Sequence, residues 1–171
     1  MKKFLPIVKS PNPILFEKAH PIKKFDSDLK KLIDAMIPTM RKADGMGLAA
    51  PQIGKSLRVA VLEFTPKKDN EKKLTPIPLM VLINPKIISK SEKLETLEEG
   101  CLSLPDINLE ITRPDEVDVI YQDQNGSRKR VRATGMLSRM LQHEIDHLNG
   151  ILITDRHADM TESEEIVQDQ Q

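Results

Sequence analysis

The chain has 171 residues, enough for one domain with a sizeable core. Lys+Arg and Asp+Glu both number 26, and this zero net charge argues against a general nucleic-acid binder and against a polybasic membrane anchor. Tryptophan is absent, aromatics make up 3% and there is one cysteine, so neither base stacking nor an intrachain disulfide is expected, and a reducing, cytoplasmic setting is.

The N-terminus, Met1-Lys2-Lys3-Phe4-Leu5-Pro6, has no long apolar run. Neither a signal peptide nor a membrane span is expected from it. Four prolines before residue 24 (Pro6, Pro11, Pro13, Pro21) predict mostly irregular chain. His20, between Ala19 and Pro21, reads as a surface residue. Asp26 or Ser27 can cap a helix carrying Leu29, Leu32, Ile33, Met36, Ile37 and Met40 at helical spacing. Pro38 removes the bond to the Asp34 carbonyl and should kink or split that helix.

Gly45-Met46-Gly47-Leu48-Ala49-Ala50-Pro51-Gln52 follows, a run of small residues whose backbone can approach another object closely. Gln52 is its one long polar group. Residues 57 to 64 read as a strand, 65 to 79 as an exposed charged loop, and 80 to 84 and 87 to 90 as short strands on either side of Pro85. The lone cysteine, Cys101, sits in Glu99-Gly100-Cys101-Leu102-Ser103. Residues 107–111, 116–121 and 128–133 read as strands, the last two joined through Asn125-Gly126, a strong hairpin signal.

The segment His143-Glu144-Ile145-Asp146-His147 reads H-E-x-x-H. On a helix, histidines four apart share a face and can share a metal ion, with the adjacent glutamate placed to handle the proton of an activated water. Thr134 is the expected N-cap and Gly150 the expected stop. Ile153 stands where a third downstream histidine ligand would be, and Glu162, Glu164 and Glu165 lie in a polar tail without helical pattern. The third ligand should therefore lie upstream, and Cys101 completes a thiolate-plus-two-imidazole set with one open position. A nucleophilic role for Cys101 would need a free histidine, and both are committed. Glu99 and Arg113 are candidates for an ion pair steadying the cysteine loop, or are two ordinary surface charges. Residues 158–171 read as a mobile acidic tail of a single domain, 1–171.

The G-x-G-x-A-A-x-Q loop at Gly45 to Gln52, the E-G-C-L-S segment at Glu99 to Ser103 and the H-E-x-D-H helix at His143 to His147 together resemble the peptide deformylases, in that family's order. The resemblance extends to about Arg156. It implies an α+β fold with small antiparallel β-sheets packed around a central metal-binding helix. It implies removal of the N-formyl group from the formyl-methionine of nascent polypeptides, releasing formate. Cys101, His143 and His147 would hold one divalent metal, commonly Fe(2+), with zinc, nickel or cobalt able to replace it. Glu144 would be the general base. The Leu102 N–H and the Gln52 amide would meet the oxyanion. Gly45, Met46, Gly47, Met136 and Met140 would line the substrate site. Asn108 departs from members that carry a long basic or aromatic side chain there, which should weaken any preference for later substrate residues. The expected partner is the nascent peptide near the ribosome exit, met by a monomer, with no membrane and no specific nucleic acid. Two alternatives remain open: another metallohydrolase acting on a peptide or small amide, or a binding protein whose metal is a structural staple closed by a fourth ligand, for which His157 is the spare histidine.

Overall fold

A computed structural model describes residues 4–66 and 75–168, with side chains through residue 160 of the last helix. The first helix, α1, spans Ser27–Lys42. Asp26 caps it, accepting from the Asp28 and Leu29 N–H groups at 3.1 and 3.0 Å. The break expected at Pro38 does not occur, since the helix runs unbroken to Lys42. The carbonyl that Pro38 deprives belongs to Asp34, an exposed residue where water can serve it. The Thr39 hydroxyl adds a bond to Ala35 O at 2.7 Å beside it.

Five strands form one antiparallel sheet: β1 (Gly47–Ala49), β2 (Val59–Phe64), β3 (Ile77–Lys90), β6 (Glu116–Gln122) and β7 (Arg128–Thr134), in the order β1-β2-β3-β6-β7. The remaining two, β4 (Leu94–Cys101) and β5 (Leu104–Pro114), pair only with each other. The two short strands expected around Pro85 are one continuous strand. Its register against β6 shifts between Ile83 and Lys86, so the proline sits in an irregularity rather than ending the ladder. Residues 67–74 of the expected loop and 169–171 of the expected tail lie outside the described residues.

Val59 to Leu62 in β2 are all fully buried, because helices cover both faces of the sheet. Alternation sends Val59 and Val61 to the α1 side, where Leu29, Ile33, Met36 and Met40 pack. It sends Ala60 and Leu62 to the side of the second helix, α2 (Gly135–Leu148), where Leu141, Ile145 and Leu148 pack. Thr134 stands at the N-cap position of α2 with extended dihedrals, but its side chain makes no capping bond. Gly150 ends the exit turn with φ 75°, and a Cβ there would come within 2.6 Å of the Phe16 backbone, so both conformation and space call for glycine. Ile153–Gln168 form a third helix, α3, so Glu162, Glu164 and Glu165, expected to lack helical pattern, lie in a helix. Its start is anchored by a bond from Leu152 N–H to Asp155 Oδ2 at 2.8 Å. No helix among the described residues is long and apolar enough to cross a membrane.

Candidate active site

Two separate pieces of structure meet in the site. Cys101 ends β4 in the two-stranded hairpin, while His143 and His147 stand four apart on α2. His147 Nε2 lies 3.3 Å from Cys101 Sγ and 3.2 Å from His143 Nε2. The three ligand atoms all lie within 4.8 Å of one another, and among the described residues no fourth Cys, His, Asp or Glu joins that group. Two nitrogens on one tetrahedral ion of zinc's size lie about 3.3 Å apart, so the donor set fits a small divalent cation with a position left open. His157, the spare histidine, faces elsewhere: its Nδ1 lies 3.2 Å from Glu110 O.

The outer nitrogen of His143 is fixed by a carboxylate. Glu99 Oε2 lies 3.0 Å from His143 Nδ1, which turns Nε2 toward Cys101 and His147. Arg113 grips Glu99 with both arms of its guanidinium, at 2.6 and 2.9 Å, so the pair suspected from sequence is buried and bidentate. Arg113 also donates to Asp146 at 2.7 Å, and Arg156 at the start of α3 holds the same carboxylate at 2.6 and 3.0 Å. Burial works against the charge on Glu99, yet its hydrogen bonds with His143 and Arg113 hold its pKa far below the usual carboxylate range.

The two histidines are pushed apart. Burial works against a proton on His143, but hydrogen bonds with Cys101 and Glu99 and the Glu144 charge raise its pKa to about 10. Burial and the neighbouring His143 drive His147 well below the ordinary imidazole value.

Glu144 is 4% exposed, and burial raises its pKa to about 7. Its Oε2 is buried and has no hydrogen-bond partner among the described residues, so this oxygen is available to a group that is not part of the chain. Gly47 explains how the carboxyl fits: a Cβ there would lie 2.0 Å from Glu144 Oε1. Gly45 is small for a related reason, because a Cβ there would lie 2.7 Å from Leu102 Cδ1.

Gln52 is 1% exposed. Its Oε1 accepts from Ala49 N–H at 2.8 Å, so its NH₂ faces Cys101 Sγ (3.6 Å) and Ser103 Oγ (3.3 Å). The N-terminal segment straps both loops in place, with Val8 N–H donating to Gln52 O at 2.7 Å and Ser10 N–H to Ser103 O at 3.0 Å. Lys9, in the same segment, donates to the Leu102 carbonyl. Met46, Met136 and Met140 line one cavity of about 510 Å³ together with Gln52, Cys101, Leu102, His143 and Glu144. Gly45, Gly47 and Asn108 also line it. The sequence residues converge here, except that His147 lies behind the lining. Sequence reasoning missed Arg139, Asp146 and Arg156. The available signal was an arginine on the apolar run of α2, since a buried guanidinium must find an acid.

With this geometry in view, the relatives are informative. Residues 4–163 match the family model for polypeptide deformylase. The peptide deformylase of Rhizobium meliloti is 44% identical over 150 residues, 88% of this chain and 83% of that one. That of Picosynechococcus is 43% identical over 143 residues, 84% and 73% of the two chains. A class I type b peptide deformylase from Acinetobacter baumannii, solved with Met-Ala-Ser bound, superposes with a TM-score of 0.86 at 35% identity, covering 91% of this chain and 99% of that one. The enzyme from Thermotoga maritima gives 0.79 at 42% identity over 90% and 97%. A match of this extent, on a chain whose glycine loop, cysteine segment and histidine helix converge on one cavity, places the chain in the polypeptide deformylase family.

Proposed function

We propose that Cys101, His143 and His147 hold the divalent metal of this deformylase and that Glu144, Gln52 and the Leu102 N–H carry out the hydrolysis. The reaction is that of the family: water attacks the formyl carbon on the N-terminal methionine of a new polypeptide, and formate and a free amine leave. Bound there, a divalent ion polarises the formyl oxygen and lowers the pKa of water. Glu144 takes the proton of the attacking water and passes it to the departing nitrogen. Its buried setting suits both steps, because a pKa of about 7 lets it accept and release a proton near neutrality. The Gln52 amide and the Leu102 N–H stabilise the oxygen that becomes negative as the carbon turns tetrahedral. One such donor is typically worth about 3 kcal/mol of barrier.

The observation that carries this reading is the convergence of three ligand atoms within 4.8 Å beside a buried glutamate that is adjacent to them in sequence. Ferrous iron is the proposed cellular metal, by resemblance to the family, and zinc, nickel and cobalt suit the same thiolate and imidazole donors. The proposed setting is the cytoplasm near the ribosome exit, with residues 1–171 acting as one metallohydrolase domain and as a monomer. The test is formate release from formyl-Met peptides by protein purified without oxygen, with its metal content measured. Activity that rises with metal occupancy is expected; fully loaded protein that releases no formate would refute the proposal.

A further inference from the structure

The ligands come from two pieces that share no strand pairing. The hairpin β4–β5 carries Cys101, and α2, packed on the five-stranded sheet, carries both histidines. Something must hold these pieces in register to within a few tenths of an ångström for three atoms to share one ion. Two arginines cross the seam in opposite directions. Arg113 reaches from β5 to Asp146 on α2 at 2.7 Å. Arg139 reaches from α2 to the hairpin, where it donates to Glu99 Oε1 at 2.7 Å, Ile111 O at 2.9 Å and Glu95 O at 2.7 Å. Those acceptors belong to both strands of the hairpin. Arg139 is 7% exposed and stands one helical turn before His143. Glu99, which it grips, is the residue that orients His143.

We propose that Arg139 is a positioning residue that locks the cysteine hairpin to the histidine helix and thereby sets the geometry of the metal ligands. This rests on the ligand set argued above. Without Arg139 the pieces keep Arg113, the Glu99–His143 contact and the bonds from Ser138 and Gln142 to the Pro114 carbonyl, but Glu99 loses one of its two guanidinium partners. Glu95 and Ile111 lose the side-chain bond to their carbonyls. Cys101 can then drift relative to His143 and His147 with the fold intact. Lysine can replace the function only in part, because one ammonium cannot span three acceptors that the planar fork reaches together.

The test is zinc affinity by chelator competition and the absorption spectrum of the cobalt form, for wild type, Arg139→Met, Arg139→Lys and Asp26→Ala. The last removes the cap of α1, on the other side of the sheet, and controls for lost stability alone. Arg139→Met is expected to lose zinc affinity about 10–100-fold and to weaken the thiolate band of the cobalt spectrum. Arg139→Lys should fall between it and wild type. Asp26→Ala should unfold more easily yet match wild type in both metal readouts. An Arg139→Met protein within about threefold of wild-type affinity, with an unchanged cobalt spectrum, would overturn the proposal. So would metal loss in Asp26→Ala that tracks its lost stability. If Arg139→Met does not fold, Arg139→Lys decides, and a zinc affinity and a cobalt spectrum both indistinguishable from wild type there would overturn the proposal. Cys101→Ser is measured alongside: wild-type zinc affinity there would refute the ligand set itself, independently of what Arg139 does.

Discussion

Glu144 is held by two constraints that a surface glutamate lacks. Its carboxyl lies against the backbone of Gly47, and one of its oxygens is buried with no partner among the described residues. It is adjacent to His143 in sequence and is not one of the three residues that could hold a metal ion. Glu144→Gln keeps the shape and removes the base, so normal metal content with nearly all turnover lost is expected. A variant that binds metal normally and retains more than about a tenth of wild-type kcat, a barrier change of under roughly 1.4 kcal/mol, would end the general-base assignment. Gly47 tests the same group sterically. In Gly47→Ala the new methyl would stand 2.0 Å from where Oε1 now lies, so the carboxyl must move. A misplacement of about 1 Å can cost about 10²-fold in rate, and a kcat loss of that order is expected without loss of metal. The side chain of Asp is one methylene shorter, so Gly47→Ala should cost much less in a Glu144→Asp background. Equal cost in the two backgrounds would mean that Gly47 acts on something other than Glu144.

At the scale of elements, legibility followed the amount of periodic apolar surface. In α1, Leu29, Ile33, Met36 and Met40 recur at helical spacing and are all buried, so its register was readable. The helix α2 combines such a run with the metal motif, and the hairpin at Asn125-Gly126 announced itself by turn chemistry. The strand β4 had no such signal, because all five residues from Leu94 to Glu98 are exposed. Its existence depends on pairing with β5, residue by residue from Leu94↔Pro114 onward, and a pairing is not visible in either strand alone. The contact from Arg139 to Glu99 spans 40 positions in sequence and was illegible for the same reason. The α1 cap gives a prediction at this scale. Asp26→Ala removes an acceptor from two N–H groups and should destabilise the protein by about 1 kcal/mol, read as a shift in urea midpoint. Because α1 packs on the sheet face opposite α2, kcat should be unchanged. A fall in kcat in step with stability would show that the two faces are coupled.

Across the whole molecule, the cavity is where the glycine loop, the cysteine hairpin and α2 meet, so its walls come from segments distant in sequence. At about 510 Å³ it has room for a small ligand. Three methionines lie along it. Met140 is 6% exposed and behaves as core, while Met46 and Met136 are 44% and 36% exposed. Large apolar side chains left open beside this cavity are not core filler, since core filler would be covered. Their thioethers are polarizable and unbranched and adapt to the shape of a guest. An unbranched thioether guest, the methionine that bears the formyl group, suits them. The far rim is different: Pro105, Asp106, Ile107 and Asn108 are all exposed there, and Asn108 is too short to grip a distant side chain. Discrimination should therefore concentrate at the first substrate residue. Formyl-Met peptides should exceed formyl-Ala peptides in kcat/KM by the worth of a lost apolar side chain, about 1–3 kcal/mol. Changes at the second and third residues should matter much less. A panel of formyl tripeptides varied one position at a time decides it. A flat response at the first position would refute the methionine pocket, and a steep response at the third would shift specificity to the rim around Asn108.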